Sequence, residues 1–279
     1  MTLALTGATG QLGHLAIAAL KARGHAPVAL VRDPAKAADL GVEARAFDYK
    51  NAATLVPALT GVTTLVLISS NDFDDRTGQH RNVIDAARAA GVGRILYTSL
   101  LKADTSPMLL AADHKATEEA IRASGLPFTL LRNGWYIENH TASLGGAIAA
   151  GALIGAAGEG RFSAAARADY AEAIAVTAAG DGHHGKVYEL AGDGAYSYAD
   201  LAAEVTRQTG KAIPYNDLPS AAYAGILQSF GLPEGFAHVL ADSDVQAGQG
   251  ALYDDSRTLS RLIGRPTTPM ADMVAKALA

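Results

Sequence analysis

The chain has 279 residues, with 23 Lys and Arg against 28 Asp and Glu, a formal net charge of −5, and 49% hydrophobic residues, enough for a substantial core in one large domain or two. That charge balance, with no Lys/Arg cluster, argues against a nucleic-acid surface, and the absence of cysteine excludes disulfides, thiolate metal sites and cysteine nucleophiles. It also fits a reducing cytoplasm as the expected location; the opening "MTLALTGATG" carries no basic region of a secretory signal, and no uncharged apolar stretch reaches bilayer-crossing length.

Short apolar runs alternate with longer amphipathic segments. Strands are predicted at 3–6, 27–31, 44–47, 63–68, 94–98 and 127–131, and helices at 11–23, 35–40, 52–59, 77–90 and 114–124. Several of these helices end at a glycine (Gly24, Gly61, Gly91, Gly125). A repeated β-α order demands a parallel sheet covered by helices on both faces with right-handed crossovers. The expected fold is therefore α/β, a Rossmann-type doubly wound parallel sheet over residues 1–132, to which some later segments return. Beyond residue 131 the rhythm loosens. A strand at 187–190 and helices near 198–209 and 221–230 suggest that residues 133–279 are mainly a smaller, partly helical lobe.

Between the first strand and first helix lies "LTGATGQLGHLA", with Gly7, Gly10 and Gly13 on a three-residue spacing. At this position glycines allow a tight turn, close backbone approach to a pyrophosphate and close packing of helix on strand, while the helix N-terminus offers free N–H groups, here those of Gln11 and Leu12. The loop reads as a dinucleotide site. A dinucleotide site specific for NAD places Asp or Glu about 20 residues further on, to accept from the ribose 2′-hydroxyl. The segment "ALVRDP" instead offers Arg32, whose guanidinium suits a 2′-phosphate and favours NADPH. The competing assignment leaves Arg32 as a solvated strand-end charge with Asp33 at the ribose. Asp48, after the third strand, fits either the adenine edge or a cap of the next segment. Ser69 and Ser70 in "LVLISSND" end the fourth strand where the strand order switches, beside the expected cofactor ribose and pyrophosphate, or else simply terminate it.

A typical short-chain dehydrogenase carries a Tyr-x-x-x-Lys pair on the helix before its sixth strand. Counting back from Gly125, Leu110 occupies the tyrosine position and His114 the lysine position, and the adjacent Lys115 faces about 100° away. The pair is absent. His114 is the candidate catalytic residue, because an unperturbed imidazole exchanges protons near neutrality; packing at the start of a helix is the alternative. The stretch "LLRNGWYIEN" supplies Asn133, Trp135, Tyr136 and Asn139 as substrate-binding candidates, with rings to stack on a flat molecule and amides to bond its oxygens, or with rings that serve only packing. His183 and His184 in "DGHHGK" lack a third ligand nearby in sequence, so no metal is expected. Asp254 and Asp255 read as a helix start before Ser256, and Tyr170 as a core or lobe-packing residue.

"GATGQLGH", "LISSND", "QHRNVIDAARAAGV", "YTSLLKADTSP", "LLRNGWYIEN", "GKVYELAGD", "LADSDV" and "DDSRTLSRLIGRPTTP" together resemble the NADPH-dependent quinone oxidoreductase type 2 proteins of the NmrA-like atypical short-chain dehydrogenase/reductase family. The resemblance runs nearly end to end and implies NADPH-dependent two-electron reduction of quinones. It implies cofactor contacts from Gly7, Thr9, Gly10, Gln11, Leu12 and Arg32, and an inner cofactor wall from the serines after strand four and from Thr98, Ser99 and Leu100. A quinone accepts hydride readily and its hydroquinone anion is weakly basic, so the missing Tyr-Lys pair is compatible with this chemistry. Positioning then becomes the main task. The expected partner is a small-molecule quinone, with no nucleic acid or membrane, in a monomer or homodimer. The alternative function is an NmrA-like redox-sensing NADP(H)-binding regulator with little or no catalysis.

Overall fold

Apolar runs and glycine stops resolve, in a computed structural model describing residues 2–72 and 74–279, into the following order. The elements are β1 (Leu3–Thr6), α1 (Gln11–Ala22), β2 (Val28–Val31), a 3-10 helix (Pro34–Leu40), β3 (Ala44–Ala46), α2 (Ala52–Ala58), β4 (Thr64–Leu67) and α3 (Arg76–Ala89). Next come β5 (Arg94–Leu100), α4 (Ala111–Ala123), β6 (Phe128–Asn133), α5 (Ile137–Thr141), α6 (Leu144–Ala150), β7 (Leu153–Gly155) and α7 (Arg167–Ala179). The chain closes with β8 (Lys186–Leu190), α8 (Tyr198–Thr209), β9 (Tyr215–Asp217), α9 (Ser220–Ser229), α10 (Glu234–Gly248), α11 (Thr258–Ile263) and α12 (Met270–Leu278).

The main sheet has the order β3-β2-β1-β4-β5-β6-β8, and the pairings from β3 through β6 are parallel. Strands β1, β2, β4 and β5 are buried at every residue, which explains their near-continuous apolar sequences: helices cover both faces of a parallel sheet. The order reverses between β1 and β4, so the crevice for a ligand opens beyond the carboxyl ends of these two strands. Helix α1 buries Leu12, Gly13, Ala16, Ile17 and Leu20, one stripe at 3.6-residue spacing. Gly24, Gly61, Gly91 and Gly125 all take positive φ, the left-handed conformation that ends a helix at little steric cost.

Two compact units make up the chain. One comprises Met1–Ala103, Asp113–Asn133 and Arg167–Tyr188; the other comprises Asp104–Ala112, Gly134–Ala166 and Glu189–Ala279. A boundary at 132/133 thus falls beside one of several crossings of the chain between them. In the first unit α7 packs on α1, with Arg23 paired to Glu172 at 3.4 Å. The buried Arg94 guanidinium at the start of β5 donates to the carbonyls of Ala178 (2.5 Å) and Gly180 (3.4 Å), satisfying the end of α7. In the second unit β7 and β9 form a parallel pair, and His140, Phe162, Tyr196, Tyr198 and Tyr215 form an aromatic cluster.

The structure corrects several local expectations. Residues 34–40 form a 3-10 helix that buries Ala37 and Leu40, three apart as a three-residue turn requires. Helix α4 begins at Ala111, so His114 lies within its first turn and does not open it. The segment at 254–255 is no helix start: the Asp254 carboxylate accepts from the Ser256 N–H (3.0 Å) and hydroxyl (2.6 Å), and α11 begins only at Thr258.

Candidate active site

The first loop gives each glycine a separate role. Gly7, at φ +61, turns the chain off β1, and its carbonyl accepts from Gly10 N at 2.9 Å. Gly10 is the N-cap of α1 and offers no capping side chain, so the first N–H groups of the helix have no local acceptor, and no acid occupies the first turn. Gly7, Thr9, Gly10 and Gln11 are exposed, while Leu12 and Gly13 are buried. A Cβ on Gly13 would lie 2.2 Å from Gly7 O and 2.7 Å from Ala8 Cα, so its role is close packing of the helix on the turn. The outcome is an exposed edge of backbone donors at the positive end of a twelve-residue helix, matched to phosphate.

Arg32 follows β2, is exposed, and makes no hydrogen bond or ion pair among the described residues. Asp33 instead accepts from Ala35 N at 3.0 Å as the cap of the 3-10 helix, so it is Arg32 that is left uncommitted beside the carboxyl end of β2. Asp48 caps its own turn: its Oδ1 accepts from Lys50 N at 3.0 Å, while Asn51 caps α2.

The loops leaving β1 and β4 adjoin. The position of a Cβ on Gly7 is 3.5 Å from Ile68 Cβ, and Ile68 N donates to Thr6 Oγ1 at 2.9 Å. Ser69 N donates to Thr98 Oγ1 (2.9 Å), Ser70 N to His80 Nε2 (2.9 Å), and the Ser70 hydroxyl to Gln79 Oε1 (2.9 Å). The buried Arg76 guanidinium donates to Ser70 O at 2.8 Å and lies 3.8 Å from the Asp113 carboxylate. These bonds clamp the turn after β4 from beneath. Thr98 and Ser99 point to opposite faces of β5, so only Thr98 supports that turn; the Ser99 hydroxyl donates to Glu118 (2.6 Å), which forms a buried two-point pair with Arg132 (2.7 and 2.8 Å). The Ser99 side chain is thus committed to Glu118.

His114 is 8% exposed and its Nδ1 lies 2.8 Å from the Tyr97 hydroxyl. Burial, with the neighbouring Arg76 and His80, pushes its pKa well below the usual value, so it is a neutral imidazole at physiological pH. The sequence-based expectation of proton exchange near neutrality therefore fails. Burial and Arg76 likewise lower His80 to about 3. Arg76, Gln79, His80, Tyr97 and Thr117 were not singled out from sequence, although Arg76, Gln79, His80 and Val83 recur at the spacing of one buried helix face. Lys115 is exposed.

After β6, Asn133 is buried and its carbonyl accepts from Leu101 N at 2.9 Å. Trp135 is buried and half-buried Tyr136 pairs with Ala165, through Ala165 N to Trp135 O at 3.1 Å and Ile137 N to Ala165 O at 3.0 Å; Asn139 is exposed on α5. Tyr170 is fully buried on α7. His183 Nδ1 lies 2.7 Å from the Tyr188 hydroxyl.

A family model described as NAD(P)H-binding matches residues 7–196, beginning at the first loop glycine. The chain belongs to this NAD(P)H-binding family. Among similar members, quinone oxidoreductase 2 of Escherichia coli strain K12 is 54% identical over 278 residues, covering 98% of this chain and 97% of that protein. The crystal structure of the E. coli NADPH-dependent quinone oxidoreductase QOR2 complexed with NADPH superposes with a TM-score of 0.97 at 53% identity and covers 100% of both chains. The Citrobacter sp. triphenylmethane reductase complexed with NADP(H) superposes with a TM-score of 0.93 at 34% identity, covering 99% of this chain and 100% of that one. The exposed donor edge of α1 and the uncommitted Arg32 fit the phosphates of such a cofactor, and among the described residues no helix is long and apolar enough to cross a membrane.

Proposed function

We propose that this chain catalyses NADPH-dependent two-electron reduction of quinones to hydroquinones. The observation that carries the reading is 54% identity to quinone oxidoreductase 2 over 98% of the chain. Bound NADPH supplies a hydride, which delivers two electrons and one proton to the quinone. The N–H groups of Gln11, Leu12 and Gly13 hold the pyrophosphate within the Gly7, Thr9 and Gly10 turn, and Arg32 grips the 2′-phosphate through a charge-assisted fork. Asp48, whose Oδ1 caps its own turn, would meet the adenine edge. Ser69, Ser70 and Thr98 line the inner wall of the site, and Ser99 contributes through its backbone.

In the first unit His114 is the candidate for contact with the quinone oxygen and Asn133 a candidate amide donor; in the second, Trp135, Tyr136 and Asn139 are the candidates for ring contact and amide hydrogen bonding. The structural support is the clamped turn after β4 and the buried His114 beside it. Holding the acceptor in reach of the hydride is then the principal catalytic contribution of the protein. The proposed setting is the cytoplasm, with the protein a monomer or homodimer.

Steady-state oxidation of NADPH and NADH by the purified protein, with and without 1,4-benzoquinone and corrected for the uncatalysed reaction, tests the reading. Saturable quinone-dependent NADPH turnover with NADH poor supports it. Tight NADPH binding without turnover across several quinones overturns it in favour of a cofactor-sensing regulator.

A further inference from the structure

Beneath the turn after β4, the protons of a hydrogen-bond chain can be assigned one by one. Ser70 N–H donates to His80 Nε2 at 2.9 Å, so the hydrogen of neutral His80 is on Nδ1. That Nδ1–H donates to Thr117 Oγ1 at 2.9 Å, and the Thr117 hydroxyl donates to the Asp113 carbonyl at 2.8 Å. His114 lies three residues before Thr117 on α4, with Nδ1 2.8 Å from the Tyr97 hydroxyl. The Tyr97 hydroxyl has His114 Nδ1, Thr117 and Ser69 within reach; the unprotonated imidazole nitrogen is the strongest acceptor of the three, so the phenol donates to His114 Nδ1, which puts the imidazole hydrogen on Nε2. That atom has no protein partner among the described residues, yet it is not one of the fully enclosed unpaired atoms, and the side chain retains 8% exposure.

The charged and titratable neighbours of this imidazole are Tyr97 from β5, Arg76 and His80 from α3, and Asp113, Lys115 and Glu118 on its own helix. Arg76, 5% exposed, opposes a second positive charge there. A general-acid histidine must be a cation at the start of each turnover, and this pocket disfavours the cation. A neutral imidazole can still polarise an oxygen by hydrogen bonding alone.

We propose that His114 acts as a neutral hydrogen-bond donor whose Nε2–H holds the quinone oxygen as negative charge develops on it, with Tyr97 as the positioning residue that sets this tautomer. The inference rests on the quinone-reductase reading. Hydride reduces the quinone to the hydroquinone monoanion, and a water molecule supplies the second proton, leaving hydroxide to the solvent. The His114 imidazole is unchanged at the end.

The test is nitrogen NMR of the full-length protein with labelled histidine, free and with NADP+, from pH 5 to 9, alongside kinetics of Tyr97→Phe, His114→Gln and His114→Ala. The expected wild-type signal is a neutral Nε2–H imidazole that does not titrate over this range. Tyr97→Phe should mix the two tautomers and lower kcat about tenfold, the effect of about one lost hydrogen bond, with the KM for NADPH unchanged. His114→Gln, which keeps an N–H donor, should retain more turnover than His114→Ala. Should Tyr97→Phe fail to fold, the wild-type tautomer and the His114 pair still decide. A His114 that titrates between pH 6 and 8, an Nδ1–H tautomer, or full kcat in Tyr97→Phe overturns the proposal while leaving quinone reduction intact. A wild-type protein with the Nε2–H tautomer and no quinone turnover overturns the reductase reading and this role together.

Discussion

Gly13→Ala places a methyl group where the first loop has no room. Its Cβ would stand 2.2 Å from Gly7 O, 2.7 Å from Ala8 Cα and 2.9 Å from Ala8 C, whereas ordinary contact begins near 3.4 Å, a deficit of 3.4 − 2.2 = 1.2 Å against backbone. No side-chain rotation relieves it, so turn and helix must separate, straining the 2.9 Å bond from Gly10 N to Gly7 O. Overpacking of this kind costs about 1–3 kcal/mol and loss of one hydrogen bond about 1 more, so a total of about 3 kcal/mol is expected. For a chain of this length that is roughly 6–10 °C in Tm. Displacing the donor edge by about 1 Å should also weaken NADPH at least tenfold. Gly10→Ala is the contrast: its Cβ meets only Gly7 O, at 3.2 Å, and its φ of −79 suits any residue. It should cost about 1 kcal/mol or less in stability. Scanning calorimetry of the cofactor-free proteins, with fluorescence titration by NADPH, reads both effects. A Gly13→Ala protein with wild-type Tm and wild-type NADPH affinity would refute this account of the loop.

Arg32→Ala should weaken NADPH about 10- to 150-fold, the range for a lost charge-assisted contact, and change NADH no more than about threefold; equal losses for both would remove Arg32 from the 2′-phosphate. Arg94→Met leaves the carbonyls of Ala178 and Gly180 without their donor, and should cost about 2–4 kcal/mol with faster amide exchange in α7; unchanged exchange there would contradict the tie. Asp244, buried and accepting from Ala156 N (2.9 Å) and the Tyr198 hydroxyl (3.0 Å), has its carboxyl raised to about 6 by burial. Because this folded value exceeds the ordinary one, the folded state holds the extra proton. The Asp244 contribution to stability is full below about pH 4 and lost as pH rises through 6, on the order of 2–3 kcal/mol at most. A carboxyl NMR titration with a midpoint near 6 is expected; a midpoint at 4 or below would contradict it.

Strands β1, β2, β4 and β5 were legible because parallel strands buried on both faces read as unbroken apolar runs, and the intervening helices ended at glycines that take positive φ. Helix α7 left no amphipathic period to find. It buries Tyr170, Ala171, Ala173, Ile174 and Ala175 almost all round. Helix α10 buries mostly small or polar groups, Ala237, Ala241, Ser243, Asp244 and Ala247, so its inner face carries little hydrophobic signal. At the site, the glycine turn and Arg32 were visible because their spacing is local. Arg76, Gln79 and His80 look like the solvated face of a helix until packing shows that they bond the turn after β4. His114 was placed by counting, but its neutral state depends on burial and on Arg76, neither of which is adjacent in sequence.

The most direct measurement is an anaerobic single turnover, mixing protein loaded with one equivalent of NADPH against excess benzoquinone and following absorbance and electron paramagnetic resonance together. The account predicts one hydroquinone formed per NADPH consumed, with no semiquinone signal, at a rate above the uncatalysed reaction. NADPH that stays bound and unoxidised, or that yields semiquinone in one-electron steps, would contradict hydride transfer by this protein.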